Sequence, residues 1–393
     1  KWLKLIELLE QFDPQSRTRI IEGLKGFDVE SLNSESRDKI YEALREKISK
    51  HRRYADSNWA FGKSEVDQLE EVEKYFEPKD YVSRYLWLFD HYPELPDQSI
   101  KVPWKEREVA VYEKRREVLE RILEKDGLEG VLRLAEFAKS PGDVGFTLAR
   151  GKLVAEDEEI IPKLLDHENQ NIVSLAISYS SRRFFDEKWD WVDGFVRDAW
   201  SANSLVNLAL AIRDDDRVWE FVEKHGEIVE EKYWTQVSKY ILPITEENIS
   251  YAVSMLLKYN RPFSAIEVLS HAAYNKMDLS PQLVMDTLFE AVETIDKTNE
   301  TIESALHEIG ELFKFLQEKS ESDNDLYVSR LAQLEWQYLA VLNGYNGKPT
   351  TLERYLCVDP KFFADMIGAI YRSENEDSES AETISEEKKR IAD

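Results

Sequence analysis

The sequence predicts an all-α protein: an irregular α-solenoid of antiparallel helix pairs in the manner of TPR or HEAT arrays, with a small N-terminal helical subdomain. Three observations predict it. Apolar residues recur almost throughout at the i, i+3, i+4, i+7 spacing of a helix with one buried stripe. No stretch sustains the period-two alternation and hairpin turn signals of paired strands. Only 14 glycines and 12 prolines interrupt 393 residues that are 42% hydrophobic and 33% charged, which excludes collagen-like, low-complexity and wholly disordered classes.

Along the chain, Ser64 with Asp67 marks a helix start. Val82 to Phe89 would pass for a strand in isolation, but nothing near it signals a hairpin. Pro93, Pro96 and Pro103 then interrupt the helical pattern between Asp90 and Pro103, since each lacks a donor and restricts the residue before it, and a subdomain junction is placed there. After Trp104 the stripe resumes with Val118, Leu119, Ile122 and Leu123. Ser140 before Pro141, Thr245 with Asn248, and Ser280 before Pro281 supply polar acceptors or first-turn prolines at further starts. Residues 203–226 and 260–292 read as helix pairs of similar size without a shared signature, so any repeat is degenerate. Ile249, Ala252, Val253, Leu256 and Leu257 form one stripe, and Ile302, Ala305, Leu306, Ile309, Leu312, Phe313 and Leu316 form another within a helix expected over Glu300 to Lys319. The opposite face of that helix carries Glu300, Glu303, His307, Glu311, Lys314 and Glu318. Short loops make neighbouring helices antiparallel, and pairs with one apolar stripe each must stack to bury it. The resulting division is an N-terminal subdomain at 1–92, a helical-repeat domain at 103–372 and an acidic tail at 373–393, within which Ile384 to Ala392 could restart a helix.

Lysine and arginine number 52 against 78 acidic residues, a formal charge of −26. Such a field repels DNA, RNA and anionic lipid headgroups and favours a protein or peptide partner of basic character. A single cysteine forms no internal disulfide, and neither a signal peptide nor a long apolar run is present, so no membrane is expected and the compartment reads as cytoplasmic. The chain opens on Lys1 rather than Met, which suggests a fragment of a longer protein.

Motifs with chemistry are few. Phe61-Gly62-Lys63-Ser64 ends like a phosphate-binding loop, but Ser57 stands where that loop needs its first glycine, so a helix start is the better reading. Glu303, His307 and Glu311 share a helical face, as do Glu267 and His271, a spacing that could hold an ion. Among 78 carboxylates that spacing arises cheaply, so solvated faces are expected, with no metal or other cofactor. Cys357, between Leu356 and Val358, reads as core packing. Five tryptophans between Trp189 and Trp234 lie near Arg182, Arg183, Arg197, Arg213 and Arg217, a mixture that can stack bases, but the segment is itself acidic and a helical core accounts for its aromatics. Lys50-His51-Arg52-Arg53 is a dense basic run suited to a helix C-terminus. The candidate partner-binding residues are therefore His51, Arg52, Arg53, Arg182 and Arg183.

Five phrases add a resemblance: Arg45 to Ala60 (REKISKHRRYADSNWA), Tyr85 to Asp90 (YLWLFD), Pro141 to Ala149 (PGDVGFTLA), Tyr259 to Ile266 (YNRPFSAI) and Asp359 to Phe363 (DPKFF). Together they resemble the helical region of large bacterial proteins that join an N-terminal effector or P-loop ATPase module to a C-terminal helical-repeat region, as bacterial defence ATPases do. The resemblance implies a recognition or scaffold role and carries over no functional residue. Proline near Gly62 in that family further weakens the phosphate-loop reading. The function expected is thus a non-enzymatic protein-interaction, sensor or scaffold module within a larger bacterial protein. The alternative is an all-α hydrolase using paired carboxylates with or without a divalent metal.

Overall fold

A computed structural model describes residues 1–96, 100–152, 157–197, 199–213, 215–319, 325–344 and 347–371. Twenty α-helices and five short 3-10 turns account for the regular structure, and no strand occurs among the described residues. The chain divides into two compact units, Lys1–Ile212 and Arg213–Asp393. The proline-rich stretch at 90–103 lies inside the first unit, and the acidic 373–393 stretch lies outside the described residues.

The first unit opens with a small bundle of α1 (Trp2–Glu7), α2 (Pro14–Lys25), α3 (Ser34–Arg53) and α4 (Lys63–Phe76). Its core follows the helical period: Ile40, Leu44 and Ile48 of α3 meet Val66, Leu69, Val72 and Phe76 of α4, with Ile6, Leu9, Ile21 and Leu24 closing the other side. The basic run at 50–53 forms the last turn of α3, where cations meet the negative end of the helix dipole. Helix α4 starts at Lys63 with Gly62 as its cap and no side-chain acceptor, one residue before the expected Ser64 start. The Ser64–Asp67 cap does not form, because Asp67 turns to the Arg52 guanidinium and ties α4 to α3.

Val82 to Phe89 is helical, as α5 (Tyr81–Tyr85) and a 3-10 turn over Leu86–Phe89. Then come α6 (Trp104–Phe137), broken at Gly127 with φ 63°, α7 (Pro141–Gly151), α8 (Asp157–Leu165), α9 (Gln170–Phe195) and α10 (Ala202–Ala211). Helix α7 lies between α6 and α9, and α10 packs on α8 and α9. The α7–α9 contact needs glycine: a Cβ on Gly145 would stand 2.0 Å from the Leu175 carbonyl oxygen, so the two backbones touch there.

The second unit contains α11 (Arg217–Lys224), α12 (Glu227–Gln236), α13 (Ile249–Lys258), α14 (Pro262–Tyr274), α15 (Pro281–Glu293), α16 (Leu306–Lys319), α17 (Asp325–Gln337), α18 (Leu339–Gly344), α19 (Thr350–Leu356) and α20 (Pro360–Tyr371). From α13 to α16 each helix packs on its successor, and contacts to the next helix but one join α13 with α15, α14 with α16, α15 with α17, and α17 with α19. The pair expected over 260–292 is α14 with α15; that expected over 203–226 is α10 and α11, which fall in different units.

Two expectations are corrected here. Glu300 is not on the exposed face of a helix, since it precedes the 3-10 turn Ile302–Ala305 that leads into α16. Its carboxylate accepts from the N–H groups of Phe263 at 2.9 Å and Ser264 at 3.0 Å and from Arg261 Nε at 3.1 Å, capping α14. Cys357 is exposed rather than core, at the position that follows the last residue of the short α19. The tryptophans divide between the units. Trp189 and Trp191 are buried in the first, and Trp219 and Trp234 are buried in the second, with ring centroids 5.6 Å apart.

A cationic aromatic cleft between α6 and α7

The first unit holds a cleft of about 880 Å³, within the roughly 300–1,000 Å³ typical of ligand sites. Three segments build it. Residues 91–95, after the 3-10 turn, form one rim. Trp104, Glu108, Val111, Tyr112 and Arg115 recur along one face of α6 at intervals of three and four. From α7 come Asp143, Phe146, Thr147 and Arg150, held forward because Gly142 and Gly145 on the adjoining face let α7 press directly onto α9.

The electrostatics oppose those of the whole chain. Among the described lining residues five cations, Arg53, Lys105, Arg107, Arg115 and Arg150, face three carboxylates, Glu94, Glu108 and Asp143. Arg53 pairs with Glu94, and Arg115 sits 2.9 Å from Asp143 while donating to the carbonyls of Leu88 at 2.8 Å and Asp90 at 3.2 Å. Burial pulls the Arg115 guanidinium below its usual value and Asp143 pulls it back, so this arginine is a fixed strut joining α6, α7 and the rim. Lys105, Arg107 and Arg150 have no carboxylate at ion-pair distance among the described residues.

Aromatic faces stand beside those free cations. Arg150 lies 4.0 Å from the Tyr112 ring centroid and Arg107 lies 5.4 Å from that of Trp104. Trp104 is 55% exposed and Phe146 37%, so both rings present apolar surface to the cleft. The Nε atoms of Arg53 and Arg107 are buried and have no acceptor among the described residues. An unsatisfied buried donor costs about 1–3 kcal/mol, more on a charged group.

The residues singled out from the sequence are only partly brought together. Arg53 lines the cleft, and Arg182 lies 5.7 Å from the ring of Phe146, one of its wall residues. Arg52 is spent on Asp67 and Glu70 across the α3–α4 contact. Arg183 bonds Glu187 and the Tyr179 hydroxyl on α9. His51 is buried, its ring stacked 3.6 Å from Phe61 and its Nδ1 accepting the Phe61 N–H at 3.0 Å. Burial lowers the His51 pKa to about 4 despite Glu10 3.4 Å from Nε2, so the ring is neutral near pH 7 and carries its proton on Nε2.

Trp104, Lys105, Arg107, Tyr112, Phe146 and Arg150 were not read as a site from the sequence. The available signal was Trp104, Arg107 and Tyr112 at helical spacing directly after Pro103. Of the ion-spacing candidates, Glu311 pairs with Lys314 and Glu267 with Lys239, and no group of three His, Cys, Asp or Glu residues is placed to hold a metal among the described residues. No helix of the described residues is long and apolar enough to cross a membrane. Comparison with family models, curated proteins and solved structures finds no match to the chain.

Proposed function

We propose that the chain is a non-enzymatic recognition module of solenoid type, a sensor or scaffold that takes a negatively charged ligand into the α6–α7 cleft. The observation that supports it most is the charge inversion, with five cations facing three carboxylates in a chain of net charge −26. The neighbour and next-but-one packing of α13 to α17 supports the stacked-pair architecture, in which repeats bury a shared core. The acidic exterior suits a basic partner protein, consistent with the scaffold role that the sequence resemblance implies.

A binding role is favoured over the paired-carboxylate hydrolase because Glu94 and Asp143 are each engaged by an arginine, leaving Glu108 as the one free acid among the described lining residues. A paired-carboxylate mechanism needs two carboxyls in different protonation states beside a substrate. Thermal unfolding at low salt tests the reading with two ligands of one size and opposite charge, naphthalene-1-sulfonate and 1-naphthylmethylammonium. The sulfonate should raise the melting temperature and the ammonium should not. Equal effects, or a larger effect of the cation, would refute it.

A further inference from the structure

Resting on that reading, we infer that the ligand of the cleft is a nucleoside monophosphate, its phosphate held by Arg107, Lys105 and Arg150 and its base laid on the exposed aromatic wall of Trp104 and Phe146. Three features of the cleft lead there.

The first is the size of the charge excess. The lining carries two more cations than carboxylates, and a phosphate monoester carries about −1.5 to −2 near neutral pH. The second is the pairing of planar groups. Guanidinium groups lie over Trp104 and Tyr112, so an anion bound at a guanidinium edge brings the planar part of the same molecule onto a neighbouring ring. An inorganic anion leaves those rings unused, and a nucleoside leaves Lys105, Arg107 and Arg150 unused. A ligand with both a ring system and a phosphate engages the whole lining.

The third is the surroundings. A nucleic acid strand or a phosphorylated protein must extend beyond the cleft over a surface that belongs to a chain of net charge −26, whereas a mononucleotide meets only the local excess. The volume of about 880 Å³ accommodates base, sugar and phosphate together.

Isothermal titration of the intact chain with AMP and UMP tests the inference, alongside adenosine, inorganic phosphate and a phosphotyrosine peptide. A nucleotide should bind at one site, at least tenfold tighter than adenosine or phosphate alone. Arg107→Gln and Trp104→Ala should each weaken it at least fivefold while the circular dichroism of both variants stays that of the parent, since Trp104 is exposed and Arg107 makes no ion pair among the described residues. Binding by neither nucleotide, binding unchanged in both variants, inorganic phosphate equal to the nucleotides, or a tighter phosphotyrosine peptide would each overturn it. If naphthalene-1-sulfonate stabilises the chain and the nucleotides do not bind, the anion-recognition reading survives and this assignment falls; if neither binds, both fall.

Discussion

Replacing Gly145 by alanine isolates the contact that holds one wall of the cleft in place. A Cβ there would lie 2.0 Å from the Leu175 carbonyl oxygen, 2.8 Å from its carbon and 3.0 Å from the Tyr179 nitrogen. All three are backbone atoms of α9, so no rotamer change gives relief, and α7 must withdraw by about 1 Å to restore contact distances. Overpacking costs about 1–3 kcal/mol, and three backbone atoms at these distances put it at about 2–3 kcal/mol here, against which alanine regains about 1 kcal/mol of helix propensity. The expected net loss of about 1–2 kcal/mol lowers the melting temperature by about 2–8 °C for a unit of this size. Scanning calorimetry of the intact chain reads it, with Gly194→Ala in α9 as control, because nothing lies within 4 Å of a Cβ at that position. The control should be unchanged or slightly stabilised. A Gly145→Ala protein as stable as the parent would refute the backbone contact and the placement of α7 derived from it.

Other expectations follow from single residues. His51 titrates at about 4 when folded and about 6.5 when unfolded, so between those values the unfolded chain binds the extra proton. Its contribution is therefore complete above pH 6.5 and lost as pH falls towards 4, up to about 3 kcal/mol, and urea titrations across that range should show the parent's lead over His51→Gln shrinking. A constant difference would place His51 in solvent. Glu300→Ala strips the α14 cap and leaves Arg261 without its carboxylate, a loss of about 1–3 kcal/mol readable as a lower urea midpoint for the second unit, with Glu303→Ala, exposed on its turn, as the neutral comparison. Cys357 should react with Ellman's reagent in the native protein at a rate close to that in urea; a thiol that reacts only after unfolding would restore the core reading.

The helical class was legible because the period of apolar residues is a property of each segment alone. Ala305, Ile309, Leu312, Phe313 and Leu316, and likewise Ile249, Ala252, Val253 and Leu256, are buried as their spacing requires, while Ile302, Leu306 and Leu257 of the same stripes are only half-buried. Starts were legible to within a residue where proline or a short polar side chain sets them, as at Ser140 and Ser280. Glu300 was misread because its partners, Phe263 and Ser264, lie almost forty residues away, and a periodic pattern continues through a carboxylate whatever it caps. Cys357 was misread because flanking Leu356 and Val358 suggested burial, although Val358 is itself exposed.

The cleft was hidden for a related reason. Density of basic residues pointed to 50–53, where Arg52 is consumed by Asp67 and Glu70. The cations that remain free, Lys105, Arg107 and Arg150, are scattered singly among acids and meet only when α7 folds onto α6. Of the phrases that carried the family resemblance, Pro141 to Ala149 supplies Asp143, Phe146 and Thr147 of the cleft, while two others hold the helices together. In one of them, Arg261 donates to the carbonyls of Trp234 at 3.0 Å and Val237 at 2.6 Å and pairs with Glu300, tying α12 to the start of α14. The Arg45 to Ala60 phrase contributes buried His51 and the α3–α4 ion pairs of Arg52.

Hydrogen exchange of the intact chain, followed by mass spectrometry with and without AMP, tests the cleft most directly because it locates the ligand without altering a residue. The account predicts slowed exchange confined to residues 91–95, the first three turns of α6 from Trp104 to Arg115, and α7 from Asp143 to Arg150. Protection confined to any other segment, or exchange unchanged at saturating AMP, would contradict it.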